Sequence, residues 1–147
     1  MSKLNIKSES RPKRLKKLVQ PQEVIVWYIL PAIRRVLTNM LIDDYNMPQT
    51  KIAKRFRLTE PAISQYKDKE GKQNTRGKQV EFGKEIIAEI SESASRIAED
   101  NNVYAPKEVQ RILKFIENGG YLCKFHKKFG IVHADCKVCK DIRENIK

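Results

Sequence analysis

Cys123-Lys-Phe-His126 and Cys136-Lys-Val-Cys139 are two pairs of soft ligands, each pair spaced by two residues, with nine residues between the pairs. Such a pair presents two donors from one knuckle, and the intervening stretch can bring both knuckles around a tetrahedral ion. Cys123, His126, Cys136 and Cys139 therefore form a Cys3His set suited to structural zinc. Thiolates also hold iron, so an iron-sulfur cluster on Cys123, Cys136 and Cys139 is the competing cofactor, and it would turn a clip into a metal or redox sensor. The imidazole of His126 favours zinc, while His133 is the runner-up ligand, its offset from the cysteine pair fitting a loop residue better. Three cysteines, an odd number confined to the last quarter of the chain, do not suit a secreted disulfide framework. A thiol-disulfide redox protein using Cys136 and Cys139 is an alternative, but no strand-helix context for it is visible. With no carboxylate cluster for a nuclease either, no enzyme is expected.

A second set of residues has the chemistry to read a polyanion. In the stretch from Met47 to Asp68, Ile52, Phe56, Leu58, Ile63 and Tyr66 fall where two short crossing helices must touch, and Ala53 lets their backbones approach. The pattern is that of a helix-turn-helix. Thr59, Glu60, Pro61, Ser64 and Gln65 then face outward from the second helix, where a recognition helix meets the major groove. Ser64 and Gln65 can hydrogen-bond base edges, glutamine being suited to adenine, and Thr59 caps the helix. Glu60 either accepts from a cytosine amino group or favours the helix start. Gln49, Thr50, Lys51, Lys54 and Arg55 on the first helix, with Lys67, Lys69, Lys72 and Arg76 beyond the second, are the candidates for flanking and phosphate contacts. The turn position usually held by glycine is Arg57, which costs about 1 kcal/mol if the backbone must be left-handed there. A slightly altered turn is the expectation.

The elements that position these residues read as helices throughout. From about Gln22 to Asp44, apolar residues from Val24 to Leu41 recur at three- and four-residue steps, giving an amphipathic helix that roofs the pair and that Pro31 must kink. Trp27 and Tyr28 read as core or interface anchors. Asp68 to Lys78, polar and holding two glycines, is a loop. Between Val80 and Asn101, Val80, Gly83, Ile87, Ile90, Ala94 and Ile97 are spaced alternately three and four apart, a heptad seam suited to pairing two copies. Ile86 and Ala98 widen the stripe, which leaves packing onto the chain's own core as the other use. Pro106 opens a further helix with an apolar face of Val109, Ile112, Leu113 and Ile116, ended by Asn118-Gly119-Gly120. The organisation expected is a flexible basic arm at 1–20, a DNA-binding unit at 21–78, a helical dimerisation region at 79–118 and a Cys/His metal-binding tail at 119–147. The fold class is all-α.

Charge supports the second set. Thirty Lys and Arg against 18 Asp and Glu give a net charge of +12 over 147 residues, and each phosphate neutralised releases condensed counterions. The excess suits nucleic acid without separating DNA from RNA, so a basic RNA-associated protein is a further alternative. No apolar run is read as long enough to cross a bilayer and the start lacks a signal-peptide stretch, so a cytoplasmic protein without membrane contact is expected. No small-molecule substrate is evident.

With these elements in order, the chain resembles the archaeal predicted transcriptional regulators of the XRE-like helix-turn-helix class. The resemblance lies in the opening Pro-Gln-Glu-Val-Ile-Val-Trp-Tyr-Ile-Leu-Pro-Ala-Ile-Arg-Arg at Pro21 to Arg35, in Ala-Ile-Ser-Gln-Tyr at Ala62 to Tyr66, and in the cysteine-rich tail. It spans about residues 21–139, and the opening with its tryptophan is the most specific part. It implies a sequence-specific DNA-binding regulator. Some relatives add a ligand-binding domain with a thiamine-phosphate-synthase-like fold, for which this chain is expected to be too short.

Overall fold

The computed structural model describes residues 21–69, 71 and 75–128. Every regular element among them is helical, and none is a strand. The all-α expectation holds. The basic arm, Lys72, His133, Cys136 and Cys139 lie outside the described residues.

The apolar opening forms α1 (Pro21–Val24), a π turn (Ile25–Ile29) and α2 (Leu30–Asp43), in immediate succession. Pro31 explains the change of register. Proline lacks an amide hydrogen and its ring crowds the carbonyl four residues earlier, so a continuous α-helical ladder through Trp27 cannot form. The wider turn takes up the mismatch: the amide of Leu30 donates to the carbonyl of Ile25, five residues back, and Pro31 enters α2 in its first turn. Pattern reading places this helix well but cannot show the change in hydrogen-bond register.

By length and composition, Gln22–Asp43 is apolar enough to cross a membrane, which corrects the expectation that no run reaches that length. Its apolar residues are used otherwise here. Val24, Ile29, Ala32, Ile33, Leu37 and Leu41 are buried, and α2 touches α3 (Gln49–Phe56), α4 (Glu60–Tyr66), α5 (Lys84–Glu99) and α6 (Ala105–Asn118). A helix that packs against four others needs apolar residues on most of its circumference.

The stripe read as a dimer seam is also spent inside the chain. Val80, Ile90, Ala94 and Ile97 are buried in the same cluster as Leu37, Ile52 and Ile112. Gly83 is not a seam residue at all: its extended backbone (φ −74°, ψ 176°) makes it the N-cap of α5, so Val80 precedes the helix. Ile87, of the same stripe, is half-buried and lies outside that cluster. Periodicity shows which side of a helix is apolar, not whose residues cover it.

A polar seam joins α5 and α6, with Ser93 and Glu108 buried in it. The Glu108 carboxylate accepts from Ser93 Oγ (2.7 Å), Arg96 Nη2 (2.9 Å) and Arg111 Nε (3.3 Å), while Arg111 also donates to the Glu89 carboxylate (2.5 Å) and carbonyl (2.9 Å). Burial pushes the Glu108 carboxyl up, but hydrogen bonds from Arg96 and Ser93 and the Arg96 charge outweigh it, so the group sits below its ordinary value of 4.5. A carboxyl depressed on folding adds stability above its unfolded pKa and loses it as pH falls through the folded one. The expected result is that stability declines below pH 4.5 in chemical denaturation, and less steeply in Glu108→Gln than in the parent.

α7 (Tyr121–Lys128) follows α6 after Gly119 and Gly120 and packs on α6 and α1. Of the tail read as metal-binding from residue 119 on, Cys123 and His126 stand on this helix. Phe125 anchors it, its ring edge-on to Phe82 at 5.9 Å.

Candidate nucleic-acid interface

α3 and α4 are held together by the residues their spacing predicts. Ile52, Ile63 and Tyr66 are fully buried, Ala53 and Phe56 nearly so, and Leu58 is half-buried. Each large apolar side chain contributes about 1.5–3 kcal/mol on removal from water. The turn between the helices is a Schellman motif: the amide of Leu58 donates to the Ala53 carbonyl (2.9 Å), and that of Arg57 to Lys54 (3.2 Å). Arg57 itself takes the left-handed conformation (φ 58°, ψ 41°). The sequence reading expected an altered turn; here the left-handed turn forms with arginine in place of glycine. Its cost is offset by the cap hydrogen bonds and by the guanidinium, which lies over the Tyr104 ring at 4.8 Å.

Thr59 caps α4 as its residue type suggests, with an extended backbone and a hydroxyl that accepts from the Ala62 amide (3.3 Å). Beyond it Glu60, Pro61 and Gln65 are exposed, Ser64 is half-buried, and the opposite side carries buried Ile63 and Tyr66. The polar side of α4 is therefore at the surface. On α3 and beyond α4, Thr50, Lys51, Lys54, Arg57, Lys69 and Arg76 are exposed, and Gln49 and Lys67 half-buried. Acidic residues among these are few: Glu60, and Asp68, which is paired with Arg35 at 2.7 Å.

Arg55 is a correction. Charge alone made it a phosphate candidate, but it is 4% exposed. Its guanidinium turns inward and donates to the carbonyls of Ile97, Asp100 and, at 2.9 Å, Val103. It thus fastens α3 to the end of α5, where unpaired carbonyls and the helix dipole favour a cation. Arg55 follows Ile52 by three and precedes Phe56, a flank position that could have warned of burial.

Three residues of α2 that sequence reasoning left without a role fix the end of α4. The Asn39 side-chain amide donates to the Tyr66 carbonyl (3.0 Å) and its oxygen accepts from the Asp68 amide (2.9 Å). Arg35 pairs with Asp68, and Arg34 donates to the Tyr66 hydroxyl over a long 3.4 Å. The following loop closes over the same end: the Arg76 amide donates to the Gln65 carbonyl (2.9 Å) and its guanidinium lies 5.4 Å from the Tyr66 ring. Polar residues four apart on an otherwise apolar helix were the available signal.

Of the proposed metal ligands, Cys123 and His126 are one turn apart on α7, the thiol half-buried and free, the imidazole 4% exposed. His126 Nε2 has no hydrogen-bond partner among the described residues, and burial pushes the imidazole pKa down, favouring the neutral form that a metal ion requires. No group of three or more possible ligands comes together among the described residues. The spacing and chemistry of Cys123 and His126 fit one half of a tetrahedral set.

No known protein family, curated protein or solved structure matches this chain.

Proposed function

We propose that the protein is a sequence-specific DNA-binding transcriptional regulator that reads duplex DNA with α4. The observation that carries this is the two-sided character of that helix: Ile63 and Tyr66 are locked into the core and Asn39 clamps its end, while Glu60, Pro61 and Gln65 face outward beside exposed Lys51, Lys54 and Lys69. Such a helix is pre-positioned for a groove. The resemblance to archaeal helix-turn-helix regulators agrees with it, and a cytoplasmic location goes with the same reading.

The test begins with selection of a preferred duplex and measurement of affinity against salt. Lys54→Ala is expected to weaken every duplex alike and to reduce the salt slope by about 1, the loss of one phosphate contact. Gln65→Ala should instead relax preference at one base pair by about 1–3 kcal/mol. Equal loss on all sequences from the Gln65 change, or tighter binding of RNA than duplex DNA, defeats the reading.

The Cys3His set is proposed as a structural zinc site formed by Cys123 and His126 with Cys136 and Cys139. Zinc there would join α7 to the chain that follows it. Thiol titration of purified protein should show the cysteines protected until a chelator is added, whereas a sample absorbing near 400 nm would favour iron-sulfur.

A further inference from the structure

We infer that the cleft between α2, α3 and α6 is a binding site for a small organic carboxylate with an apolar body. The cleft encloses about 210 Å³. At about 30 Å³ per water this is room for roughly seven waters, or for a compact ligand of similar bulk. Its walls include Leu30 of α2, Phe56 of α3, and Val109 and Leu113 of α6, and its polar side chains are Arg34 and Gln110. No acidic side chain lines it, so Arg34 sets the sign of the charge it accepts.

Arg34 has donors to give. Among the described residues its hydrogen bond is the 3.4 Å donation to the Tyr66 hydroxyl, near the limit of a useful interaction. A guanidinium carries five N–H donors in a fork that matches a carboxylate with two parallel bonds. The first turn of α6 also lines the cleft, through Ala105 and Pro106, and adds the positive end of that helix. Mostly apolar walls with one or two polar groups are the usual makeup of a small-molecule site. A phosphate would find too few donors, and a simple cation would meet Arg34.

The cleft touches both members of the helix pair. Phe56 is the last residue of α3, and Arg34 reaches Tyr66, the last residue of α4. A carboxylate on Arg34 would draw on the same guanidinium that holds the Tyr66 hydroxyl, so occupancy bears on the seat of α4. On the DNA-binding reading, which this step alone requires, the occupant is an effector.

Benzoate is the probe, titrated into the full chain without DNA and followed by amide and methyl NMR shifts. The expected result is shifts concentrated at Leu30, Val109 and Leu113 with a dissociation constant on the order of 1 mM. Acetate and benzyl alcohol, which lack the apolar body and the charge respectively, should each bind at least about tenfold more weakly. Arg34→Gln should weaken benzoate about tenfold through loss of a charged hydrogen bond. Leu113→Trp, which fills the cleft from the α6 side, should abolish it. No localised shifts in the parent, equal binding of acetate and benzoate, or undiminished binding in Arg34→Gln overturns the site. A parent protein that binds benzoate in the cleft and DNA on α4, with neither affecting the other, overturns the effector role and leaves the DNA reading intact.

Discussion

Replacing Gly77 by alanine is expected to lower the melting temperature by about 10 °C, corresponding to roughly 3 kcal/mol for a chain of this size. Two effects combine at this position. The backbone sits at φ +88°, where a Cβ costs about 1 kcal/mol. The added carbon would also meet main chain: it overlaps the Pro31 carbonyl, falling 2.6 Å from its carbon, and lies a tight 3.0 Å from Ala32 Cα. Overpacking against a rigid neighbour adds about 1–3 kcal/mol. Pro31 lies at the junction of the π turn and α2, so it has little freedom to yield. Gly71→Ala is the matched control, because Gly71 has a similar φ of +82° and nothing within 4 Å of its added carbon. Thermal denaturation followed by circular dichroism should show the control losing only the conformational part, about 1 kcal/mol. Equal shifts for the two variants would mean that the 75–79 turn does not dock on the helix backbone.

Arg55→Met should destabilise the fold by about 2–4 kcal/mol and, on the DNA-binding reading proposed above, leave the salt dependence of binding unchanged. The variant keeps much of the aliphatic stem and removes the donors, so the carbonyls of Ile97, Asp100 and Val103 lose a charged donor, Asp100 alone keeping the Val103 amide that the structure gives it. Arg55→Lys should recover only part of the loss, since an ammonium cannot reproduce the planar fork. Urea denaturation gives the stability, and a salt series on a bound duplex gives the slope. Lys54, the exposed neighbour, is expected to behave in the opposite way, with little effect on folding and a reduced slope. A lowered slope for Arg55→Met, with stability unaltered, would return Arg55 to the outer surface.

These two positions mark the limits of pattern reading. Spacing identified the buried contacts of the helix pair, Ile52, Ala53, Phe56, Ile63 and Tyr66, because a helix face repeats every three to four residues and apolar side chains must leave water somewhere. Thr59 was legible as a cap for a local reason: its hydroxyl bonds an amide three residues along the same chain. Arg55 was not, because its partners lie more than forty residues away and a formal charge says nothing about which carbonyls it will meet. The same difficulty hid the roles of Arg34, Arg35 and Asn39. The 80–97 stripe marks another limit: its apolar side was legible, but spacing left open what covers it, and most of that stripe packs within the chain. α7 is a short helix directly after two glycines, and its eight residues carry too few turns for a periodic signal to emerge.

The Asn39 clamp grips the end of α4 by the carbonyl of Tyr66 and the amide of Asp68 just beyond it, main-chain atoms that any residue but proline supplies. Side chains on the outer face of that helix carry none of this fastening. Glu60, Pro61 and Gln65 are consequently free to drift in identity over generations without loosening the clamp, so a lineage could rewrite the chemistry of that surface one substitution at a time and keep the same architecture.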